Sequence, residues 1–250
     1  MKLSFTALRT FRDCSFRYHL RYNKGLPTRP RPPARISRAL HGSLFKFHLA
    51  LKEQESPTVD TLLDFYKGYY QNPTRPLTDA QYVEGRKILT RYYDIHHGQF
   101  PTPFLLEEKF SLHVGPYTLN GRFDRVDELE QGYEIIDYKL GGKNPLPPDP
   151  LQLDIYQLAL YEHAGKLATA LSFYYLRANK KISVEPGTLE EAQSRVRVVA
   201  QHIIKEQAFQ PHEGTWCTTC DYAEFCPAKQ QRPKPVPAGQ RAMQIPFDFG

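Results

Sequence analysis

Two acidic residues and a lysine have spacings that could bring them into one catalytic site. Asp137 and Lys139 are two positions apart in the strand-like segment 133–140, so their side chains face the same side. Asp124 precedes Asp137 by thirteen residues, across a connection short enough for an antiparallel hairpin. Neighbouring carboxylates repel one another unless a cation lies between them, and oxygen ligands suit Mg²⁺ or Mn²⁺. Such an ion would polarise a phosphoryl oxygen, and Lys139 could position the attacking water; a charged surface hairpin is the alternative.

Three more polar side chains could join this group. Gln152 and Tyr156 are four positions apart, on one face of the helix that follows the Asp137 segment. His41 begins a helical stretch that continues through Leu44 and His48. A single histidine above an apolar stripe is commonly a packed core residue. The importance of His41 therefore depends on the residues around it.

The four cysteines form a one-plus-three pattern. Cys217, Cys220 and Cys226 have the spacing C-x2-C-x5-C with a proline directly after, and Cys14 stands 203 residues before Cys217. The first residues carry charge where an export signal would be apolar, so we expect a cytoplasmic protein. Cysteines in that compartment favour metal binding or reactive thiols over disulfides. Four thiolates suit either Zn²⁺ or an iron–sulfur cluster, and the spacing does not decide between them.

Positive charge is concentrated near the N-terminus. The formal net charge is +6 with a pI near 9.0, and residues 1–46 alone contribute +10. The basic residues there are Lys2, Arg9, Arg12, Arg17, Arg21, Lys24, Arg29, Arg31, Arg35, Arg38 and Lys46. Arginines interleaved with Phe11, Phe16, Tyr18 and Tyr22 can contact phosphates and stack on bases, whereas a solvated helix face is the alternative.

The periodicity of the chain predicts an α/β fold with a mixed sheet. The predicted helices are 4–24, 36–54, 58–71, 79–98, 150–165 and a last one from Thr188 to about Gln207. The predicted strands are 103–113, 117–127, 133–140 and 168–177, with 180–185 as a further candidate. Asp149 should cap the helix at Pro150, and Thr188 with Glu191 should form a capping box. No apolar run is long enough to span a bilayer, so we expect no membrane.

In chain order these segments resemble the PD-(D/E)xK nuclease superfamily, and within it the RecB-like branch. The matching pieces are the Cys14 helix, Ala39–His41, Glu107–Phe110 (Glu-x-x-Phe), Gly121–Asp127 (G-x-x-D-R-x-D), Ile136–Lys139 (D-x-K) and Gln152–Tyr156 (Q-x-x-x-Y). Ser37 stands where the family often has glycine. Each piece alone is weak, whereas five of them in register with the cysteine pattern are strong.

The resemblance implies a particular core and a particular metal site. The core would be restriction-endonuclease-like: a helix, three antiparallel strands, a helix and a strand, with a helical N-terminal insertion and a C-terminal iron–sulfur cap. His41, Asp124 and Asp137 would bind Mg²⁺ or Mn²⁺ together with the backbone carbonyl of Tyr138. Since every position counted as catalytic holds a competent residue, the resemblance implies an active enzyme.

The same resemblance assigns roles around the metal. Lys139 would orient or activate the attacking water. Gln152 and Tyr156 would hold the DNA backbone near the site or support the lysine. Glu107 and Asp127 are given supporting positions rather than roles as metal ligands.

The cysteine pattern is similar to that of iron–sulfur nucleases in this branch, among them the C-terminal nuclease of AddB and the CRISPR-adaptation exonucleases. The resemblance implies a [4Fe–4S] cluster on Cys14, Cys217, Cys220 and Cys226, in preference to Zn²⁺. Such a cluster would connect the two ends of one nuclease domain, residues 1–227, and would have a structural role. Residues 228–250 would then form a flexible, proline-rich tail.

We therefore expect a metal-dependent DNA nuclease, an exonuclease that prefers single-stranded DNA or frayed ends, in DNA repair or recombination. One alternative is a CRISPR-adaptation nuclease that trims prespacers beside an integrase. Another is a DNA-binding subunit of a larger complex that does not cleave. The chain lacks G-x-x-x-x-G-K-[ST], so a helicase partner would have to supply unwinding. Gln244–Phe249 resembles a peptide that binds the sliding clamp, with an ordinary frayed terminus as the alternative.

Overall fold

The strands form two separate sheets in the part of the chain that the structure covers. This computed structural model describes residues 2–28, 33–74, 76–142, 147 and 149–230. The five-stranded sheet has the order β2 (Pro103–Leu106), β5 (Arg125–Leu129), β6 (Gly132–Lys139), β7 (Ala168–Tyr175), β8 (Lys180–Val184). The three-stranded sheet has the order β1 (Lys2–Leu3), β4 (Tyr117–Arg122), β3 (Lys109–Val114). β6 and β7 pair in parallel, while the other pairs of the five-stranded sheet are antiparallel, so the predicted mixed sheet is present.

Two strands that the sequence predicts as continuous are each divided between the sheets. Glu107 has a φ of 48°, a left-handed conformation uncommon outside glycine, and there the chain passes from β2 into β3. The second predicted strand divides at Phe123 and Asp124, between β4 and β5. The two breaks are hydrogen-bonded to each other, Glu107 N–H to the Asp124 carbonyl at 3.0 Å and Phe123 N–H to the Glu108 carbonyl at 2.9 Å. The prediction of three uninterrupted antiparallel strands is therefore wrong at this point, because side-chain alternation does not reveal a change of sheet.

Helices cover both faces of the five-stranded sheet. They are α3 (Pro33–Lys52), α4 (Val59–Tyr70), α5 (Asp79–His96), α6 (Pro150–Ala164) and α7 (Leu189–Lys205), after α1 (Phe5–Asp13) and α2 (Ser15–Tyr18). Leu40 and Leu44 of α3 share a buried cluster with Ile136 and Tyr138 of β6. Because side chains alternate along β6, Asp137 and its neighbours of the same parity face α6 instead. None of the described helices is long and apolar enough to cross a membrane.

The predicted caps of α6 and α7 are confirmed. The Asp149 carboxylate accepts a hydrogen bond from the Leu151 N–H at 3.1 Å, and Pro150 occupies the first helical position. Thr188 and Glu191 form the reciprocal capping box at the start of α7. These local signals fix where each helix begins, and the start of α6 determines which of its residues face β6.

The helix predicted at 4–24 is not continuous. α1 ends at Asp13, Cys14 is extended (φ −160°, ψ 111°), and α2 continues into a π-helical turn at His19–Asn23. The apolar periodicity runs across this joint because it reports which residues are buried rather than whether the backbone is helical. The sequence prediction of one helix is therefore wrong, and Cys14 lies at the break.

The chain divides into two compact units, Met1–Arg9 with Arg29–Glu206, and Thr10–Thr28 with Gln207–Gly250. In the second unit, the Ser15 hydroxyl donates to the Gln210 carbonyl at 2.9 Å, and the Tyr222 hydroxyl donates to the Leu26 carbonyl at 2.8 Å. Its C-terminal segment contains 3₁₀ turns at Thr215–Thr219 and Ala223–Phe225 and the short helix α8 (Pro227–Gln230). The suggested clamp peptide, Gln244–Phe249, lies outside the described residues.

Candidate metal centre

Three potential metal ligands meet where the two strand breaks face each other. His41 comes from α3, Glu107 from the break between β2 and β3, and Asp124 from the break between β4 and β5. One donor atom from each lies within 4.8 Å of the other two. His41 Nδ1 is 3.3 Å from Asp124 Oδ2, and the same oxygen accepts the backbone N–H of Tyr138 at 2.9 Å. The breaks therefore gather side chains that are far apart in the sequence.

The electrostatics of this group suit a cation. Burial alone would lower the pKa of His41, but its hydrogen bond with Asp124 and the nearby carboxylates raise it overall. Burial, followed by the charge of Asp124, raises the pKa of Glu107, although Arg122 lies 2.5 Å from its carboxylate and opposes the shift. His41 Nε2 is buried without a hydrogen-bond partner among the described residues. Two carboxylates and an imidazole are a ligand set that a divalent ion such as Mn²⁺ can use.

Asp137 lies in a second, adjoining group on the α6 side of β6. Its Oδ1 accepts hydrogen bonds from the Tyr156 hydroxyl at 2.6 Å and from the Gln152 amide at 2.9 Å. Its Oδ2 is 2.6 Å from the ammonium group of Lys139. Lys139 in turn donates to Gln152 Oε1 at 3.0 Å. The structure thus brings together the two pairs that the spacing rules placed on common faces, Asp137 with Lys139 and Gln152 with Tyr156.

The protonation states in this second group follow from burial and charge. Burial raises the pKa of Asp137, the Lys139 ammonium opposes that shift, and the charge of Asp124 adds to it. Burial, followed by the charge of Asp137, raises the pKa of Tyr156 well above its usual value, so its phenol remains a donor. The charge of Asp124 acts on Asp137 and the charge of Asp137 acts on His41, so the two groups are electrostatically one site.

The arrangement differs in two respects from the predicted one. The resemblance implied a supporting role for Glu107, whereas the structure places a carboxylate oxygen of Glu107 beside the donors of His41 and Asp124. Among the described residues, Asp137 is not in that group of three, and its oxygens face Gln152, Tyr156 and Lys139. Metal ligation by Asp137 and by the Tyr138 carbonyl stays a prediction.

Sequence reasoning also missed a buried polar network on the α3 side of the sheet. Arg125 Nη1 donates to His48 Nε2 at 2.6 Å, to the Tyr138 hydroxyl at 2.8 Å and to the Tyr92 hydroxyl at 2.9 Å. Its Nη2 donates to Asp127 Oδ2 at 2.8 Å. Burial and the Arg125 charge lower the pKa of His48 well below its usual value, so the ring is neutral and can accept this bond. The sequence feature that could have indicated this network is the spacing of Arg125 and Asp127, which are two positions apart on a strand.

All four cysteines line one cavity of the second unit, beside Trp216 and Tyr222. The N–H of His212 donates to Cys14 Sγ at 3.4 Å, and the N–H of Gly214 donates to Cys217 Sγ at 3.4 Å. Within the described ranges, no three of the sulfurs lie within 4.8 Å of one another. Tetrahedral Zn²⁺, with Zn–S bonds near 2.3 Å, would hold its sulfurs about 3.8 Å apart. The described cysteines are therefore not arranged as a closed zinc site.

Comparison with known proteins identifies the class of the chain. The family model of the PD-(D/E)XK nuclease superfamily matches residues 2–227. The chain belongs to this superfamily, whose chemistry is hydrolysis of phosphodiester bonds, and the sequence prediction of the superfamily is confirmed. The RecB-like branch and its iron–sulfur cluster are not part of that match.

The fold is similar to that of a Eubacterium rectale protein named as a candidate exonuclease. The TM-score is 0.51 at 13% identity, over 99% of this chain and 91% of the other. The crystal structure of SSO0001 matches with a TM-score of 0.40 at 14% identity, over 86% of this chain and 95% of the other. The second likeness is too low to support an argument about the fold. No curated protein matches the chain.

Proposed function

We propose that this chain is a metal-dependent deoxyribonuclease, an exonuclease that acts on single-stranded DNA or frayed ends. The observation that carries the proposal is the approach of His41, Glu107 and Asp124 donors to within 4.8 Å, in a chain of a nuclease superfamily. His41 and Asp124 would hold Mg²⁺ or Mn²⁺ with Glu107, and the resemblance adds Asp137 and the Tyr138 carbonyl as ligands.

Lys139 would act on the attacking water. When bound, the ion would polarise a phosphoryl oxygen and lower the pKa of a coordinated water. The ammonium of Lys139 is fixed between Asp137 Oδ2 and Gln152 Oε1, so it is oriented before substrate arrives. A fixed cation next to the reacting phosphate stabilises the charge that develops in the transition state. Gln152 and Tyr156 would support this lysine by holding Asp137.

Single-stranded DNA is the substrate that the N-terminal segment favours. The Arg21 guanidinium lies 5.1 Å from the centre of the Tyr22 ring, and Tyr22 is exposed. Aromatic and arginine side chains of this kind bind bases without regard to sequence. The proposal includes a helicase partner that supplies unwinding, in DNA repair or recombination.

We also propose that Cys14, Cys217, Cys220 and Cys226 bind a [4Fe–4S] cluster. Support comes from the cavity that all four cysteines line. It also comes from the hydrogen bonds that the Cys14 and Cys217 sulfurs accept from backbone N–H groups. An iron–sulfur cluster is held by four cysteine thiolates, each on its own iron, so its sulfurs stand farther apart than around zinc. The cluster would have a structural role.

The experiment that tests the proposed activity is digestion of end-labelled single and double strands with Mn²⁺, before and after removal of the metal with EDTA. Asp124→Ala should lose about 100-fold or more of the activity. Asp94→Ala, which removes an exposed carboxylate from α5, is the matched control and should act like the parent. A few-fold loss in Asp124→Ala would mean that the metal site is elsewhere. Equal digestion with and without EDTA would rule out metal dependence.

A further inference from the structure

A second cavity lies between α3 and the end of α4, on the chain segment that precedes His41. Its volume is about 160 Å³, and it is lined by Arg35, Arg38, Tyr69, Asn72 and Thr74 among others. That is room for several water molecules, and so for a phosphate group. Among the lining residues that the structure describes, none is acidic. The cavity therefore presents two arginine side chains with no carboxylate among its described lining residues.

The two arginines are suited to an oxyanion. Arg35 and Arg38 are three positions apart, so they occupy neighbouring turns on one face of α3. Both are exposed, and no carboxylate pairs with either of them in the described part of the chain. The planar guanidinium group presents paired N–H donors that match phosphate oxygens better than an ammonium does. Two arginines at one cavity, without a carboxylate partner in the described part of the chain, thus offer donors of the kind that suits a phosphate.

The remaining walls supply fixed hydrogen-bonding groups. Asn72 Oδ1 accepts hydrogen bonds from the N–H of Thr74 at 3.0 Å and from its hydroxyl at 2.9 Å, which fixes the Asn72 amide. Burial, followed by the charge of Glu107, raises the pKa of Tyr69, so its phenol keeps its proton. Preorganised donors of this kind favour binding because little ordering remains to be done.

The cavity is coupled to the candidate metal centre through α3. Arg38 and Arg35 precede His41 by three and six residues, about 4.5 and 9 Å along the helix axis. The Tyr69 hydroxyl packs against Gly42, where an added Cβ would lie 2.0 Å from it. In duplex DNA each strand rises about 3.4 Å per nucleotide along the axis, so for a strand stacked in that way the distance corresponds to one to three nucleotides. A strand whose phosphate is at His41 can therefore place a neighbouring phosphate at the arginines.

We propose that the Arg35–Arg38 cavity binds a phosphate group of the substrate strand, one to three nucleotides from the bond to be cut. The inference rests on the proposed nuclease function for the identity of the strand. Lys46, which lies 5.9 Å from the centre of the Tyr69 ring, continues the positive charge along the same side of α3. The strand would thus follow α3 toward the metal centre.

Binding is tested without cleavage, by fluorescence anisotropy of a labelled single-stranded oligonucleotide in EDTA. The double variant Arg35→Ala/Arg38→Ala should bind about tenfold more weakly, and its slope of log K against log salt should fall by about 0.7, the loss of one phosphate contact. Arg91→Ala/Arg197→Ala removes two exposed arginines elsewhere on the same unit and is the charge-matched control. Equal affinity and equal slope in the two double variants would overturn the proposal.

Two further comparisons show which phosphate the cavity binds and whether a loss of binding is caused by misfolding. If the cavity takes a terminal phosphate, the parent binds a 5′-phosphorylated strand more tightly than a 5′-hydroxyl strand and the double variant loses that preference. If it takes an internal phosphate, the double variant loses affinity for both strands equally. Arg35→Lys/Arg38→Lys keeps the charge but not the paired donors, so it should recover the salt slope and only part of the affinity.

The proposal of a phosphate site and the proposal of a nuclease can fail independently of each other. In Mn²⁺-dependent digestion, the double variant should raise KM about tenfold and leave kcat near that of the parent, as expected for lost ground-state binding. If Asp124→Ala digests DNA normally while the double variant fails to bind, the metal assignment fails and the phosphate site stands. If Asp124→Ala is inactive while the double variant binds like its control, the phosphate site fails and the nuclease proposal stands.

Discussion

Asp124 accepts the backbone N–H of Tyr138 at 2.9 Å through the same oxygen that lies 3.3 Å from His41 Nδ1. One carboxylate oxygen therefore links β6 to α3. The position of Asp124 is fixed on the strand that carries Asp137 and Lys139, so the candidate metal centre and the lysine group cannot move independently. This link makes the contribution of each neighbouring side chain testable.

Gln152 should be needed for activity because it holds both Lys139 and Asp137. We expect Gln152→Ala to lower nuclease activity about 10- to 100-fold, the usual effect of removing a residue that orients a metal-site or catalytic group. The free energy of unfolding should fall by about 1–3 kcal/mol, because a buried carboxylate loses a donor. Gln157→Ala, at another buried glutamine of α6, is the control. The same loss of activity in both variants would show that α6 packing, rather than the Gln152 contacts, is responsible.

Tyr156 should tune the pH dependence of the reaction. Its hydroxyl donates to Asp137 Oδ1 at 2.6 Å and so favours the ionised carboxylate. Tyr156→Phe removes that bond, which raises the pKa of Asp137, so the acid limb of the activity profile should move to higher pH. The measurement is kcat/KM against pH with Mn²⁺. Tyr161→Phe, at an exposed tyrosine of the same helix, should leave the profile unchanged; an unchanged profile in Tyr156→Phe would contradict the role of the hydroxyl.

The arrangement around Asp137 was predictable from the sequence, whereas the position of Glu107 beside His41 and Asp124 was not. The facing of Asp137 with Lys139, and of Gln152 with Tyr156, follows from local periods of two and four residues. Glu107 reaches the metal group because the chain turns into the left-handed region there and changes sheets. That turn depends on the pairing of Glu107 with Asp124, a contact between distant segments that no local pattern encodes.

Contacts between distant segments also explain two other features that the sequence did not predict. These are the break at Cys14 in the predicted helix and the burial of Arg125. Apolar spacing continues across Cys14 although the backbone there is extended, so periodicity predicted one long helix. An arginine in a motif is usually placed at the surface, yet Arg125 is buried among three acceptors and Asp127. Both features depend on packing partners that lie far away in the sequence.

His48 should make the protein sensitive to acid. Its pKa is lowered in the folded state by burial and by Arg125, so below about pH 6.5 the unfolded state binds a proton that the folded state does not. The free energy of unfolding should therefore fall with decreasing pH, by about 2 kcal/mol from this group between pH 7 and pH 5.

Urea unfolding of the parent and of His48→Gln at the two pH values measures this. His48→Gln should lose about 2 kcal/mol less than the parent over that range, and His97→Gln, at an exposed histidine, should behave like the parent. Equal losses in all three proteins would rule out His48 as the acid-sensitive group.

The cysteine cavity should lose its cofactor when any one thiolate is removed. We expect anaerobically purified protein to be brown, to contain about four iron and four sulfide per chain, and to lose colour and solubility together in Cys217→Ser. Thr218→Ala, a change at the neighbouring residue, should keep both. Elemental analysis that finds one zinc and no iron would replace the cluster by zinc. A soluble Cys217→Ser protein with an unchanged spectrum would contradict the assignment altogether.

The most direct measurement is the location of Mn²⁺ by anomalous scattering in crystals grown with the ion. We expect one peak within about 2.5 Å of a His41 nitrogen and an Asp124 oxygen. Whether Glu107 or Asp137 completes the site would be read from the same map. At saturating Mn²⁺, a map with no peak at His41 and Asp124, or with the ion bound elsewhere, would contradict the central claim.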